Sequence, residues 1–434
     1  MYPTVEQFAR HVSQGLGRPY QYLHLDSARY QAALLHACLV NPVYDRAVEG
    51  PRTTYLLGLI ARTGQQQWFA TQILAAFAAS VNDDALDLPQ LFAFAGTFAE
   101  AGDQRARDLM ISQFVIHADA QAVGAHELID LDGRAGFRVV AARLGELARD
   151  ELDIWDSDEI INQLKRVDPS VTDDDLAAMG AADPRIQRYL DTVAETIARQ
   201  STRLMTRTLI DNWAYADLKS ALLRNVRSLS LSALRRWGTV ASDADFANAA
   251  HDLVAHTDPH VLAAYLAIFA RRPFPLGFAP LIPLVRHAHD GVARRSIHAL
   301  SHFADPTIHQ LGHALLHERW HTGDALALFA RTYQPGDEET CGVLIETAVD
   351  DDELHHVCMG LLDLLETTAV QGVLELLCLI YERTPCSMCR RHAVQQLADR
   401  HTLPAGMAHE CLHDANDDTR RVAAAYLAGA ATAG

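Results

Sequence analysis

The segment HAHDGVARRSIHALSHFADPTIHQLGHALL, residues 287–316, decides the fold. A loop acid, Asp290, precedes Val292 and Arg294, and a run of small and apolar residues follows to Ala299 and Leu300. Asp305-Pro306 then starts a second helical pattern, because Asp caps free N–H groups and Pro fits the first helical turn. The pattern recurs along the chain. Brackets of one helical stretch fall at Val261–Phe269, Val292–Leu300, His321–Phe329, Leu354–Leu362, Cys389–Leu397 and Thr419–Leu427. Their starts are separated by 31, 29, 33, 35 and 30 residues, about one helix pair each. Self-similarity at this period predicts stacked helical pairs, each burying its apolar stripe against its neighbours.

The N-terminal half carries the same signal. AHELIDLDGRAGFRVVAARL from Ala125 aligns without gaps on AHECLHDANDDTRRVAAAYL from Ala408, matching His126 with His409 and Glu127 with Glu410. Apolar residues at helical spacing mark 4–14, 27–40, 51–62, 65–79 and 104–117. Breakers lie between them at Asn41-Pro42, Gly50-Pro51, Gly64, Gly102-Asp103 and Asp132-Gly133. No series of alternating strands is present in the sequence. The expectation is an all-α protein.

The residues Asp290, Val292, Arg294, Ala299, Leu300 and Asp305-Pro306 resemble HEAT-type repeats, particularly the short bacterial variety. Asp258-Pro259 with Val261, and Asp418 with Arg420, fit the pattern in part. The resemblance implies an α-solenoid of HEAT-like helix pairs with a period of about 31 residues. Its motifs specify a fold and no chemistry.

Charge divides the chain. Residues 150–183 hold 11 acids against Lys165 and Arg166, while 184–240 hold 10 bases against four acids. The expected organisation is an N-terminal repeat block (1–149), a charged insertion or hinge with long helices (150–240) and a C-terminal repeat block (241–434). The net charge of -18 argues against general nucleic-acid binding, which needs a basic surface to displace counterions. Arg199, Arg203 and Arg207, sharing a helix face at i, i+4, i+8, are the exception, a candidate ridge for phosphate or an acidic peptide. No apolar run reaches the roughly 18 residues of a membrane span. The start, MYPTVEQFARHV, lacks the flank and apolar run of a signal peptide, and seven cysteines form no spaced framework, so a cytoplasmic location with reduced thiols is expected.

Histidine supplies the main chemical candidates. Seventeen of 22 lie between His251 and His413, most densely at His309, His313, His317 and His321. With Asp305 as cap, Gly323 as terminator and Ile308, Leu311 and Leu315 as core stripe, the four imidazoles fall on the opposite side, flanked by Leu316 and Trp320. They are expected to face solvent or a partner, and neighbouring i, i+4 imidazoles can share a metal. His317-Glu318-Arg319-Trp320-His321 and His409-Glu410-Cys411-Leu412-His413 have the HExxH spacing of zinc metalloproteases, but no third ligand stands at a recognised spacing. The pairs His126-Glu127, His317-Glu318 and His409-Glu410 invite comparison with HEAT-like deoxyhypusine hydroxylases, whose four His-Glu pairs hold di-iron. The separations here, 191 and 92 residues, depart from that family's one-repeat spacing.

Cys386-Ser-Met-Cys389 is the best-spaced metal or redox pair, with His392, His409, Cys411 and His413 as candidates to complete it. The alternative is small hydrophobic thiols in a core. There is no GxSxG, no GxxxxGK[ST] and no GxGxxG after a strand; HEAT-like DNA glycosylases carry a basic concave surface that this acidic chain lacks outside 184–240. The function expected is a protein-binding scaffold or adaptor, with another protein as partner and no catalytic residue, cofactor or metal assigned. The candidate interaction surface is His309, His313, His317, Trp320 and His321, with Arg199, Arg203 and Arg207. The rivals are a metal-dependent HEAT-like enzyme using His-Glu or Cys/His clusters, and nucleic-acid binding through 184–240.

Overall fold

A computed structural model describes residues 2–80, 87–119, 122–148, 158–226, 229–367 and 372–433. All regular structure among these residues is helical. The helices Val5–Gln14, Thr53–Thr63, Gln66–Ala79 and Gln104–His117 lie where the apolar spacing places them, and Pro19–Leu39 starts earlier than its pattern suggests. Local chemistry sets their ends. Thr4 and Gln7 form a reciprocal capping box, and Asp103, Asp258 and Asp305 each accept backbone N–H bonds at a helix start. Gly64 closes its helix in the left-handed conformation. Among the described residues, no helix is long and apolar enough to cross a membrane.

The chain divides into two compact units. The first holds Met1–Thr202 together with Pro404–Gly434. Its core runs through Phe8, Tyr30, Leu34, Phe69, Phe77, Phe92, Phe114, Phe137 and Tyr189, all fully buried. The C-terminal segment is seated on the turn after the first helix. Ala415 N–H donates to Gly15 O at 2.8 Å, and Arg18 grips Glu410 through Nε (2.7 Å) and Nη2 (3.0 Å). Gly17 permits this approach: a Cβ there would lie 2.0 Å from the Glu410 carbonyl oxygen.

The second unit, Arg203–Leu403, is a succession of helices that include Leu231–Val240, Asp243–Ala255, Pro259–Ile268, Asp290–Leu300, Pro306–His317, Asp337–Glu346, Asp351–Thr367, Val373–Arg383 and Ser387–Asp399. Two 3-10 segments interrupt the pattern: Ala279–Arg286, which contains Pro283, and Leu326–Phe329, which continues the short helix Thr322–Ala325. Many long-range side-chain bonds in this unit join residues about one helix pair apart. Arg272 donates to Ala241 O (3.0 Å), His302 Nε2 to Ala270 O (3.2 Å) and Gln396 Nε2 to Leu362 O (2.9 Å). Arg286–Glu318, Arg294–Asp324 and Arg319–Glu353 are ion pairs of 2.7–2.9 Å with the same spacing. The apolar anchors Val292, Ile297, Leu300, Ile308, Leu315 and Leu316 are buried beneath them.

One expected boundary is different. The helix from Pro306 ends at His317, well before Gly323. Arg319 takes a left-handed φ of 51°, so that Trp320 N–H reaches Leu315 O (2.9 Å) and Arg319 N–H reaches Leu316 O (3.1 Å). These two bonds satisfy the last carbonyls as a Schellman turn does, although the left-handed residue is not glycine. Gly323 serves closeness instead: a Cβ there would sit 2.4 Å from the carbonyl oxygen of His356 in the helix Asp351–Thr367.

Candidate metal centres

Cys386 is the N-cap residue of the helix Ser387–Asp399, and Cys389 is the third residue inside it. This spacing places both sulfurs on one face of the first turn, a natural consequence of three-residue separation on a helix. The Cys386 side chain makes no capping bond to the backbone of that helix. Both thiols are buried, at 4% and 5% exposure. The helix Asp351–Thr367 packs alongside and brings His355 to them, with Nδ1 at 3.5 Å from Cys389 Sγ. The ligand atoms of His355, Cys386 and Cys389 all lie within 4.8 Å of one another. Cys358, one turn beyond His355 on the same helix, is fully buried and lies outside this trio.

The electrostatics of this cluster oppose free thiolates. A hydrogen bond with Cys386, reinforced by burial and by the neighbouring thiols, drives the Cys389 thiol far above the ordinary cysteine range. Burial pushes Cys358 up to about 12, against a lowering hydrogen bond with Thr384. Thiols so raised are poor nucleophiles, because reactivity resides in the thiolate. The same crowding becomes favourable around a cation, which supplies the charge that two close sulfurs need.

A second cluster gathers His309, His313 and Asp337, the first residue of the helix Asp337–Glu346. His309 Nε2 donates to Asp337 Oδ2 at 3.0 Å, and His313 Nε2 donates to Oδ1 at 2.9 Å. Gln334 N–H adds a 2.7 Å bond to Oδ2. Both imidazoles pack edge-on against Phe329, and Asp337 is only 4% exposed. The histidine ladder expected on an outer face is split: His309, its side chain 14% exposed, and His313, at 38%, both bond a buried carboxylate. The carboxylate already accepts from three donors. His321, beyond the helix end, stands 3.8 Å from both Asp290 and Asp324, and His317 and Trp320 remain exposed. Trp320 still anchors its ring nitrogen on Val285 O at 2.7 Å.

Both HExxH stretches lose the helix between their histidines. The first breaks after His317, and His321 lies past the left-handed turn. The second helix, Ala405–Cys411, stops before His413. Their glutamates also hold other helices, Glu318 through Arg286 and Glu410 through Arg18. In the third His-Glu pair, burial raises the Glu127 carboxyl above its usual value, and His126 stands 3.8 Å from Glu159. The side chains at 199, 203 and 207, though on the helix Pro184–Leu209, lie outside the described residues.

Of the residues expected to complete the Cys386/Cys389 pair, His392 turns toward Glu366 at 3.8 Å, and His413 stacks on Tyr20 within the first unit. His355 was not among them. The signal was present, since His355-x-x-Cys358 stands one repeat before Cys386-x-x-Cys389 and the two second cysteines are 31 residues apart. No protein-family model matches this chain, and no curated protein is detectably similar to it.

Proposed function

We propose that the chain is a binding scaffold, an α-solenoid of HEAT-like helix pairs whose exposed helix faces hold another protein. The observation that carries this reading is the set of side-chain bonds between residues one helix pair apart, from Arg272–Ala241 to Gln396–Leu362. Repeated coupling of this kind suits a stack in which each pair buries its apolar face on the next, leaving a long surface for a partner. The polar groups with the best catalytic spacing serve that stacking: Glu318 binds Arg286, and Asp337 binds His309 and His313. His317 and Trp320 offer an exposed imidazole and an indole held in place by Val285, the kind of fixed aromatic group that interfaces favour.

The test places a photo-crosslinking amino acid in the full chain at position 317, at 320, or at the exposed control position 254, in the native cell. The expected result is a discrete adduct to one protein from 317 and 320 and not from 254. Equal labelling from all three positions, or adducts to nucleic acid, would contradict the reading.

A further inference from the structure

We propose that His355, Cys386 and Cys389 hold a structural zinc ion that fastens the helix Asp351–Thr367 to the helix Ser387–Asp399.

The donor set is one that zinc selects, since imidazole and thiolate together are its habitual ligands. The spacing agrees as well. With Zn–S of about 2.3 Å and Zn–N of about 2.0–2.1 Å, tetrahedral geometry separates a sulfur and a nitrogen ligand by about 3.5 Å. Cys389 Sγ and His355 Nδ1 stand 3.5 Å apart. Cys386 closes the trio within 4.8 Å. The helix Asp351–Thr367 contributes His355, and the first turn of the helix Ser387–Asp399 with its N-cap contributes Cys386 and Cys389, so the three donors join two neighbouring helices. Binding moves no electrons: each cysteine ligand releases its S–H proton to solvent as its S–Zn bond forms.

The other cluster differs in kind. Asp337 already accepts from His309, His313 and the Gln334 amide, so an ion there would have to replace three good hydrogen bonds. The two sites are separable by mutation.

The experiment is elemental analysis of the full chain, purified without a metal-affinity step and dialysed against metal-free buffer. The expected result is stoichiometric zinc, lost in Cys386→Ser/Cys389→Ser and kept in His309→Asn/His313→Asn. Should the cysteine variant fail to fold, the wild type stripped by chelator and reloaded with cobalt(II) gives the second reading. Thiolate-to-cobalt charge-transfer absorption is expected. A wild type that holds no zinc and shows no such absorption overturns the proposal. So does zinc that leaves with the histidines, or a freshly alkylated protein in which Cys386 and Cys389 are joined as a disulfide.

Discussion

Cys389 Sγ stands 3.5 Å from Nδ1 of His355, a residue 34 positions earlier in the chain. The same interval separates Gln396 from the Leu362 carbonyl that it caps, and Arg319 from Glu353. The thiol–imidazole approach is thus one of a family of bonds in the second unit, each reaching back by about one helix pair. The helix Asp351–Thr367 packed beside the helix Ser387–Asp399 brings His355 against Cys389, although the two do not hold equivalent places on their helices.

Leu300 ends the helix Asp290–Leu300 and is fully buried. Leu300→Ala is expected to destabilise the protein by about 2–5 kcal/mol, through lost transfer energy and the cavity left behind. Val349 is 80% exposed, and Val349→Ala should change stability by less than about 0.5 kcal/mol. Urea titration of the two variants beside the wild type checks both; equal shifts would mean that Leu300 is not a core anchor.

Much of this fold was legible because periodicity and caps are local. Asp305-Pro306 starts its helix as its chemistry requires, and the runs 51–62 and 65–79 became helices with Gly64 between them. The rotation of a helix about its axis was less legible. Ile308 and Leu315 are core as expected, yet His309 and His313 turn to Asp337, whose position depends on a loop that the period does not describe. The early end at Arg319 was hidden because a left-handed arginine leaves no glycine signature. Contacts far from the period were hidden too: Arg18 and Glu410 are 392 residues apart, and no repeat spacing announces them. The CxxC pair was visible, but its third donor needed the stacking of two helices.

Glu127 provides a pH prediction with a definite sign. Burial raises its carboxyl above the ordinary 4.5, with Asp130 adding to the rise and His126 opposing it. A group raised in the folded state binds its proton more tightly there than in the unfolded chain. Its contribution is therefore most favourable at low pH and is lost as pH rises from 4.5 through the folded value. Glu127→Gln, which cannot ionise, should match the wild type near pH 4 and be more stable near pH 7. Thermal melting across this range checks it; a variant less stable at pH 7 would contradict the assigned cause.

Gly17 gives a test of the first unit. Alanine at this position would drive its Cβ into the Glu410 carbonyl, a backbone atom that cannot rotate away. Gly17→Ala should displace the C-terminal segment at a cost of about 1–3 kcal/mol, the usual range for overpacking. Hydrogen exchange should then quicken in the helices Ala405–Cys411 and Asp417–Ala433. Arg18→Ala, which removes an ion pair but adds no clash, should quicken it less. Unchanged exchange in Gly17→Ala would show that this seat is not as close as described.

The most direct measurement of coupling between successive helix pairs is a double-mutant cycle across Arg294 and Asp324. Arg294 Nε lies 2.9 Å from the Asp324 carboxylate, which is only 14% exposed and also receives His298. Denaturant unfolding of Arg294→Ala, Asp324→Asn, the double variant and the wild type at neutral pH gives the interaction energy. One-repeat coupling predicts about 0.5–1 kcal/mol of non-additivity, the upper part of the range for ion pairs with an exposed partner. Additivity within about 0.3 kcal/mol would mean that these two helices are not held together through this pair, and would contradict the stacked-repeat account.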